Sequence, residues 1–185
     1  GFETYETLPP EALEGLPSSP QRALKAPDVS RAVRFLVQTQ RRSGGWDDSN
    51  YHFGGVDSLP NVHMAVTALA TAALRAHGGP EASIARAEAF MNDESNVAAV
   101  DRDEIVWAHA YRVLYFARTK DAAALAAVVP RLLALQEPDG IWAHEYANPF
   151  ATAAARHALE AARAAGAEVP GAVLAAGAKA LFASR

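Results

Sequence analysis

The chain has 185 residues, of which 50% are hydrophobic, and this length and composition suit a single folded domain. Its formal net charge is −4 with acidic and basic residues interspersed, so the basic face that a nucleic-acid partner requires is not expected. Cysteine is absent, which excludes disulfides, thiolate nucleophiles and cysteine-ligated metals, and no apolar run reaches the about 18 residues of a membrane span.

The predicted organisation is an irregular, proline-containing arm over 1–27 followed by a helical domain over 28–185. In that domain, apolar residues recur at helical spacing between start and stop signals. These signals predict seven helices, at about 29–40, 61–77, 80–91, 103–118, 121–136, 149–165 and 170–185. No strand pattern appears, so the predicted fold class is all-α, built as successive helical hairpins.

Polar residues mark the predicted helix starts and glycines mark two of the ends. Gly78 and Gly166 are expected to end the second and sixth helices. Pro130 lies inside the fifth predicted helix, where it is expected to kink or divide the helix. The expected N-caps are Asp28, Asn61, Asp101 or Asp103, and Asp121.

Two stretches repeat one pattern, "QRRSGGW" and "QEPDGIW", in which Trp lies six positions after Gln. Glutamine can hydrogen-bond the free backbone groups of a neighbouring turn, and glycine permits the positive φ that ends the helix. Tryptophan can then pack beneath the turn and donate one N–H. The corresponding residues, offset by 96 positions, are Gln40 and Gln136, Gly44 and Gly140, and Trp46 and Trp142.

The helices that follow the two stretches end on matching sequences, "RAHG" (75–78) and "RAAG" (163–166), which are offset by 88 positions. The loop of the first copy is therefore eight residues longer than that of the second. The repeated unit consists of helix, Gln, turn, Trp, loop, helix and stop.

The stretches "FLVQTQRRSGGW" and "LLALQEPDGIW" resemble the QW-type repeat of the prenyltransferase and squalene-cyclase superfamily, and "NPFATAAARHALEAARAAG" is similar to one of its inner helices. The resemblance covers 28–185 as a pattern of hairpins. It implies an (α/α) toroid, in which inner helices ring a cavity and outer helices surround them. A complete toroid has more than seven helices, so the resemblance implies an incomplete arc, completed by a second copy or by the remainder of a longer chain.

The catalytic signatures of that superfamily are missing. Its class II terpene cyclases use an Asp-x-Asp-Asp acid motif, from which the nearest segments, "WDDSN" and "GVDSLPN", depart. Its protein prenyltransferases hold zinc with Asp, Cys and His, and this chain has no cysteine. The resemblance therefore supplies no catalytic residue and leaves enzymatic activity open.

In toroids the loops before the inner helices rim one mouth of the cavity, so we expect polar and aromatic residues there to converge. Asp57 could pair with Asp48 as a proton donor, although carboxylates that cap turns and stay solvated are the simpler alternative. The catalytic candidates are Asp57, His63 and His144, and the ligand-binding candidates are His52, Trp107, Tyr111 and Tyr146.

Two further interpretations concern metals and aromatic residues. Histidine and carboxylate side chains at a rim would suit a divalent metal, although no ligand spacing is specific, so no cofactor is the primary expectation. The fourth predicted helix carries aromatic residues that either line a ligand cavity or belong to the core, and the core is the commoner role. These aromatic residues are Trp107, Tyr111, Tyr115 and Phe116.

Three functions are compatible with this sequence. The preferred hypothesis is a non-catalytic binding or interaction module whose concave face holds an apolar or peptide-like ligand, because the repeat occurs without catalytic motifs. The alternatives are an enzyme with cyclase-like or lyase-like chemistry at the rim, and a self-associating repeat scaffold. Because the chain begins at Gly1, we also expect that an upstream segment, with a targeting signal as one option, has been removed from a soluble protein of unknown localisation.

Overall fold

The computed structural model describes residues 28–47 and 60–183, so the predicted arm over 1–27 lies outside the described residues. Within these ranges the chain forms seven α-helices and one two-residue strand pair, and the predicted all-α class is confirmed. The elements are α1 (Val29–Thr39), α2 (Pro60–Ala76), α3 (Glu81–Asn92), a 3₁₀ turn (Glu94–Asn96), α4 (Ile105–Thr119), α5 (Ala122–Leu133), β1 (Ala143–His144), β2 (Tyr146–Ala147), α6 (Pro149–Ala164) and α7 (Gly171–Ala183). None of these helices is long and apolar enough to cross a membrane.

The helices pack as hairpins in which alternate helices are neighbours. Helices α2, α4 and α6 lie side by side with α4 in the middle, while α3, α5 and α7 pack against α2, α4 and α6 respectively. The main core lies around α4 and includes Val113, Phe116 and Leu132. Helix α1 is peripheral and packs through Val33 and the neighbouring Leu36 and Val37 against a smaller cluster.

Most predicted start and stop signals act as expected. Asp28 and Asp121 accept hydrogen bonds from backbone N–H groups in the first turns of α1 and α5, at 2.9 and 3.0 Å. Gly78 and Gly166 follow α2 and α6 with φ of +71° and +97°, a conformation that glycine adopts without strain.

The predicted cap at Asn61 is wrong. Helix α2 begins at Pro60, and Asn61 is buried with its side chain turned to the loop before α4. Its Nδ2 donates to the carbonyl of Ala98 and to the Asp101 carboxylate, both at 3.0 Å. Asp101 is thereby engaged with Asn61, and α4 begins later, at Ile105, rather than directly after the expected cap at Asp101 or Asp103.

Pro130 does not divide α5. The helix continues through it and ends at Leu133, before the predicted end at Gln136. Val128, Val129 and Leu132 are buried on both sides of the proline, so tertiary packing offsets the lost hydrogen bond.

The glutamines of the two repeated stretches make equivalent contacts. Gln40 Nε2 donates to the carbonyl of Gly44 and to that of Ser83 at the start of α3, both at 2.8 Å. Gln136 Nε2 donates to the carbonyl of Gly140 and to that of Val173 at the start of α7, both at 3.0 Å. Each glutamine therefore joins its own turn to the first turn of another helix.

The tryptophans are also equivalent. Trp46 and Trp142 are 4% and 0% exposed. Their indole Nε1 groups donate to carbonyls ten residues earlier, in Leu36 at 2.8 Å and in Leu132 at 2.9 Å. The tryptophan therefore joins the end of one helix to the core beneath the turn.

One difference separates the copies. The tryptophan backbone N–H donates to a buried threonine that lies 21 residues later in the first copy, Thr67, and 10 residues later in the second, Thr152. The longer loop accounts for eight of these eleven extra residues. The remaining three amount to about one helical turn, so Trp46 packs one turn further along α2 than Trp142 does along α6.

Candidate ligand site at the start of α4

One face of α4 is not covered by the other helices that the structure describes. Every described residue of the helix from Ile105 to Ala117 is buried except three, and these recur at spacings of four and three along one side. They are Trp107, Tyr111 and Leu114, which are half-buried and pack on the core with one edge. Because α2, α5 and α6 cover the other sides of α4, these three residues form an open stripe, called here the α4 stripe.

The neighbouring helices also expose apolar side chains. Leu69 of α2 is 52% exposed, and Phe150 in the first turn of α6 is 77% exposed. Val62 and Val66 are half-buried and share the unburied side of α2 with Leu69. Exposed apolar surface on adjacent helices is typical of a binding or association surface.

The aromatic residues of α4 divide between the stripe and the core. Tyr115 and Phe116 are buried and pack edge-to-face with ring centroids 5.4 Å apart. Residues four apart on a helix are rotated by about 40°, so Tyr115 lies about 80° from Trp107 and reaches the buried side. Tyr115 and Phe116 therefore belong to the core, and Trp107 and Tyr111 remain as ligand candidates.

His144 lies beside the first turn of α4. The two-residue strand pair places it there, with Glu145 in the left-handed conformation at the turn (φ +58°). Trp107 Nε1 donates to His144 Nδ1 at 3.2 Å, and the two rings meet edge-to-face with centroids 5.4 Å apart. Tyr111 follows, with its ring centroid 6.5 Å from that of Trp107.

The Trp107 N–H and two oxygen atoms lie near the same nitrogen of His144, Nδ1. His144 Nδ1 lies 2.9 Å from the carbonyl oxygen of Asp103 and 3.5 Å from a carboxylate oxygen of Glu104. A ring nitrogen accepts from Trp107 only without a proton and donates to an oxygen only with one. The proton on His144 therefore decides which of these contacts forms.

Glu104 is the acidic partner of this cluster. Burial raises the pKa of its carboxyl above the usual value, and the nearby acids Asp101, Glu145 and Asp103 act in the same direction, while His144 opposes them. The cluster thus joins a half-buried carboxyl, an imidazole and an exposed indole edge at one end of the α4 stripe. Glu104 was not among the sequence candidates, because nothing in its local sequence indicates its contact with a residue 40 positions later.

The remaining candidates are placed as follows. His63 is half-buried near the start of α2, whereas His144 lies in β1. Tyr146 pairs through its backbone with His144 in the strand pair. His52, Asp57 and Asp48 lie outside the described residues, so the carboxylate pair stays a prediction.

The described residues bring no three histidine or acidic side chains together in a group that could hold a metal ion. His144 and Glu104 would supply two ligands. A divalent metal at this rim stays a hypothesis that depends on residues outside the described ranges, such as His52 and Asp57.

A buried charged group on the opposite side of α4 is structural. Arg112 is 1% exposed and donates to Glu94 at 2.6 Å, and Arg131 of α5 lies 3.4 Å from the same carboxylate. Burial, with Arg112 adding to it, lowers the pKa of His109 to about 4. His109 and Arg112 are three residues apart, and this spacing could have indicated from the sequence that they share the side away from Trp107.

Comparison of the chain with models of known protein families, with curated proteins and with solved structures gives no match. The resemblance to the prenyltransferase and squalene-cyclase superfamily therefore stays an expectation from the quoted motifs.

Proposed function

We propose that the protein is a binding module whose α4 stripe holds an elongated apolar molecule with one polar end group. The hairpins would form an arc of an (α/α) toroid, with α2, α4 and α6 as inner helices. Three features support this arrangement: the alternation of neighbouring helices, the equivalent glutamine contacts and the equivalent tryptophan contacts. In such an arc the α4 stripe faces the cavity.

The observation that carries the proposal is the partly exposed aromatic surface of Trp107. Its indole is half-buried on the open side of α4, where it packs on the core and meets the His144 ring edge-to-face. A large aromatic surface that is already ordered loses little conformational entropy when a ligand binds. The other two tryptophans are buried, so they cannot serve this purpose.

The distribution of polar groups indicates the shape of the ligand. Tyr111 and Leu114 continue the stripe from Trp107, while His144 and Glu104 lie at one end of it. A peptide would bury many amide groups against this surface without partners, at a cost of about 1–3 kcal/mol for each unpaired group. A molecule with an apolar body and a single hydroxyl avoids this cost, because only its hydroxyl needs a hydrogen-bond partner, and His144 and Glu104 lie at one end of the stripe.

The experiment is equilibrium dialysis with dodecan-1-ol and with farnesol, an isoprenoid alcohol. Wild-type protein is expected to bind one of them saturably. Trp107→Ala is expected to weaken binding about tenfold, which corresponds to about 1.4 kcal/mol. Phe182→Ala, a change of an exposed apolar residue on α7, is the matched control and should leave the affinity unchanged. Equal affinities in all three proteins would contradict the proposal. Tighter binding of an apolar peptide than of either alcohol would show that the proposed ligand class is wrong.

A second candidate function is an enzyme in which Glu104 and His144 transfer a proton. The supporting observation is a carboxyl whose pKa burial raises, 3.5 Å from an imidazole and next to the α4 stripe. The alcohol recovered after incubation would be analysed by mass spectrometry. Conversion by the wild type but not by Glu104→Gln supports catalysis, and recovery of unchanged alcohol from both supports a binding module.

The third candidate, a self-associating scaffold, would bury the exposed Leu69 and Phe150 against another copy. Native mass spectrometry distinguishes it. A stable dimer that Phe150→Ser dissociates, together with no retained alcohol, would favour the scaffold over the binding module.

A further inference from the structure

A groove lies away from the α4 stripe, between α5 and the turn that joins α6 to α7. Its volume is about 490 Å³, which is within the range of small-molecule sites. Leu125, Val129 and Leu133 of α5 form one wall, and Ala165 and Ala167 of the turn form the other.

The lining of the groove includes a helical residue whose carbonyl lacks the usual donor four residues later. Pro130 lines the groove inside α5 and has no N–H to donate. The carbonyl of Ala126, one turn earlier and also lining the groove, therefore lacks its helical donor. Such a carbonyl needs a donor from outside the regular helical ladder.

The charged side chain at the groove is acidic. Glu168, which is exposed, is the only charged residue among the described residues that line the groove. The groove also meets the carboxyl end of α6 at Gly166, where the aligned peptide dipoles leave a partial negative charge. Arg163 lies in the last turn of α6 but does not line the groove. The Glu168 carboxylate and the Ala126 carbonyl, which lacks its helical donor, favour a cationic donor. The amino end of α5 at Ala122 also lines the groove, so the two helix ends have opposite partial charges and do not decide the sign.

The first copy of the repeat shows which lining residues of the groove belong to the packing that both copies share. The apolar wall recurs, because Leu125, Val129 and Leu133 correspond to Val29, Val33 and Val37 at the offset of 96. The polar features do not recur. Pro130 corresponds to Arg34, and Glu168, two residues after the helix-ending glycine, corresponds to Pro80. The packing common to both copies therefore does not explain Pro130 or Glu168.

We propose that this groove binds a small molecule that has an apolar body and an ammonium group. The apolar body contacts Leu125, Val129 and Leu133, while the ammonium donates to the Glu168 carboxylate and to the Ala126 carbonyl. An ammonium group has three donors and no acceptor, which fits the Glu168 carboxylate and the Ala126 carbonyl.

The test compares three probes of one shape: cyclohexylmethylamine, cyclohexylmethanol and cyclohexanecarboxylate. Each is titrated into ¹⁵N-labelled protein and followed by the amide signals of Ala126, Val129 and Gly166. The amine is expected to shift these signals saturably, the alcohol to bind more weakly and the carboxylate to leave them unchanged. Equal binding of the three probes, or shifts confined to other residues, would overturn the proposal.

Two variants test the acceptors. Glu168→Gln is expected to weaken amine binding about threefold to tenfold. This loss lies between the free energy of an exposed ion pair and that of a hydrogen bond to a charged group. Pro130→Ala restores a helical N–H to the Ala126 carbonyl and should also weaken it. Glu137→Gln, an exposed acid that does not line this groove, is the matched control. Unchanged amine affinity in Glu168→Gln and Pro130→Ala would refute the assigned contacts.

Discussion

Replacement of Trp142 by alanine tests whether the repeated stretch joins the hairpins. The indole is fully buried, and its Nε1 donates to the carbonyl of Leu132 at 2.9 Å. Loss of a buried tryptophan side chain costs about 3–5 kcal/mol, and this includes the cavity that remains. The Leu132 carbonyl also loses its side-chain donor. Since domains are stable by only about 5–15 kcal/mol, Trp142→Ala is expected to remove a large share of the stability.

The two contributions can be separated with Trp142→Phe. This variant keeps much of the ring volume but removes the N–H, so the loss should fall to about 1–3 kcal/mol. Trp107→Phe is the control, because Trp107 is half-buried on the open α4 stripe and should affect stability by less than about 1 kcal/mol.

Urea unfolding followed by circular dichroism at the helical band gives the free energies without relying on tryptophan fluorescence. The expected order of destabilisation is Trp142→Ala, then Trp142→Phe, then Trp107→Phe. A loss below about 1 kcal/mol for Trp142→Ala would refute the structural interpretation of the repeat.

Two further predictions concern backbone conformation and pH. Gly140→Ala should destabilise the fold by about 2 kcal/mol or more, because φ is +91° and a Cβ would lie 2.6 Å from the Ala176 carbonyl oxygen. Gly166→Ala, with φ of +97° but no atom within 4 Å, should cost about 1 kcal/mol, and equal losses in urea unfolding would contradict the clash. Burial and Arg112 lower the pKa of His109 from 6.5 to about 4, so the unfolded chain binds the proton more tightly. Stability should therefore be full above about pH 6.5 and fall by roughly 3 kcal/mol at most as the pH drops toward 4, while His109→Gln should lose this dependence; parallel curves would refute the assignment.

The helices and the repeat were predictable because their signals are local. Asp28 and Asp121 cap the helices that they precede, and helix-ending glycines follow α2 and α6 as expected. The equivalence of Trp46 and Trp142 also follows from sequence, since two copies of one pattern solve the same packing problem.

The failures arose where tertiary contacts override local preference. Asn61 has a good capping side chain, but its burial directs the amide to Ala98 and Asp101, 37 and 40 residues away. Glu104 and His144 meet only because the strand pair folds back on α4. No local pattern encodes such a meeting, so sequence reasoning found one partner of the candidate site and missed the other.

The central claim, an apolar ligand held on the α4 stripe, is tested most directly by the indole N–H signals in a ¹H–¹⁵N spectrum. The chain has three tryptophans, and only Trp107 is half-exposed, while Trp46 and Trp142 are buried and bonded to carbonyls. Trp107→Phe assigns its signal by removing it. Addition of farnesol is predicted to shift the Trp107 signal saturably and leave the other two in place. A Trp107 signal that does not move while the alcohol binds, or movement of the buried indoles alone, would contradict the account.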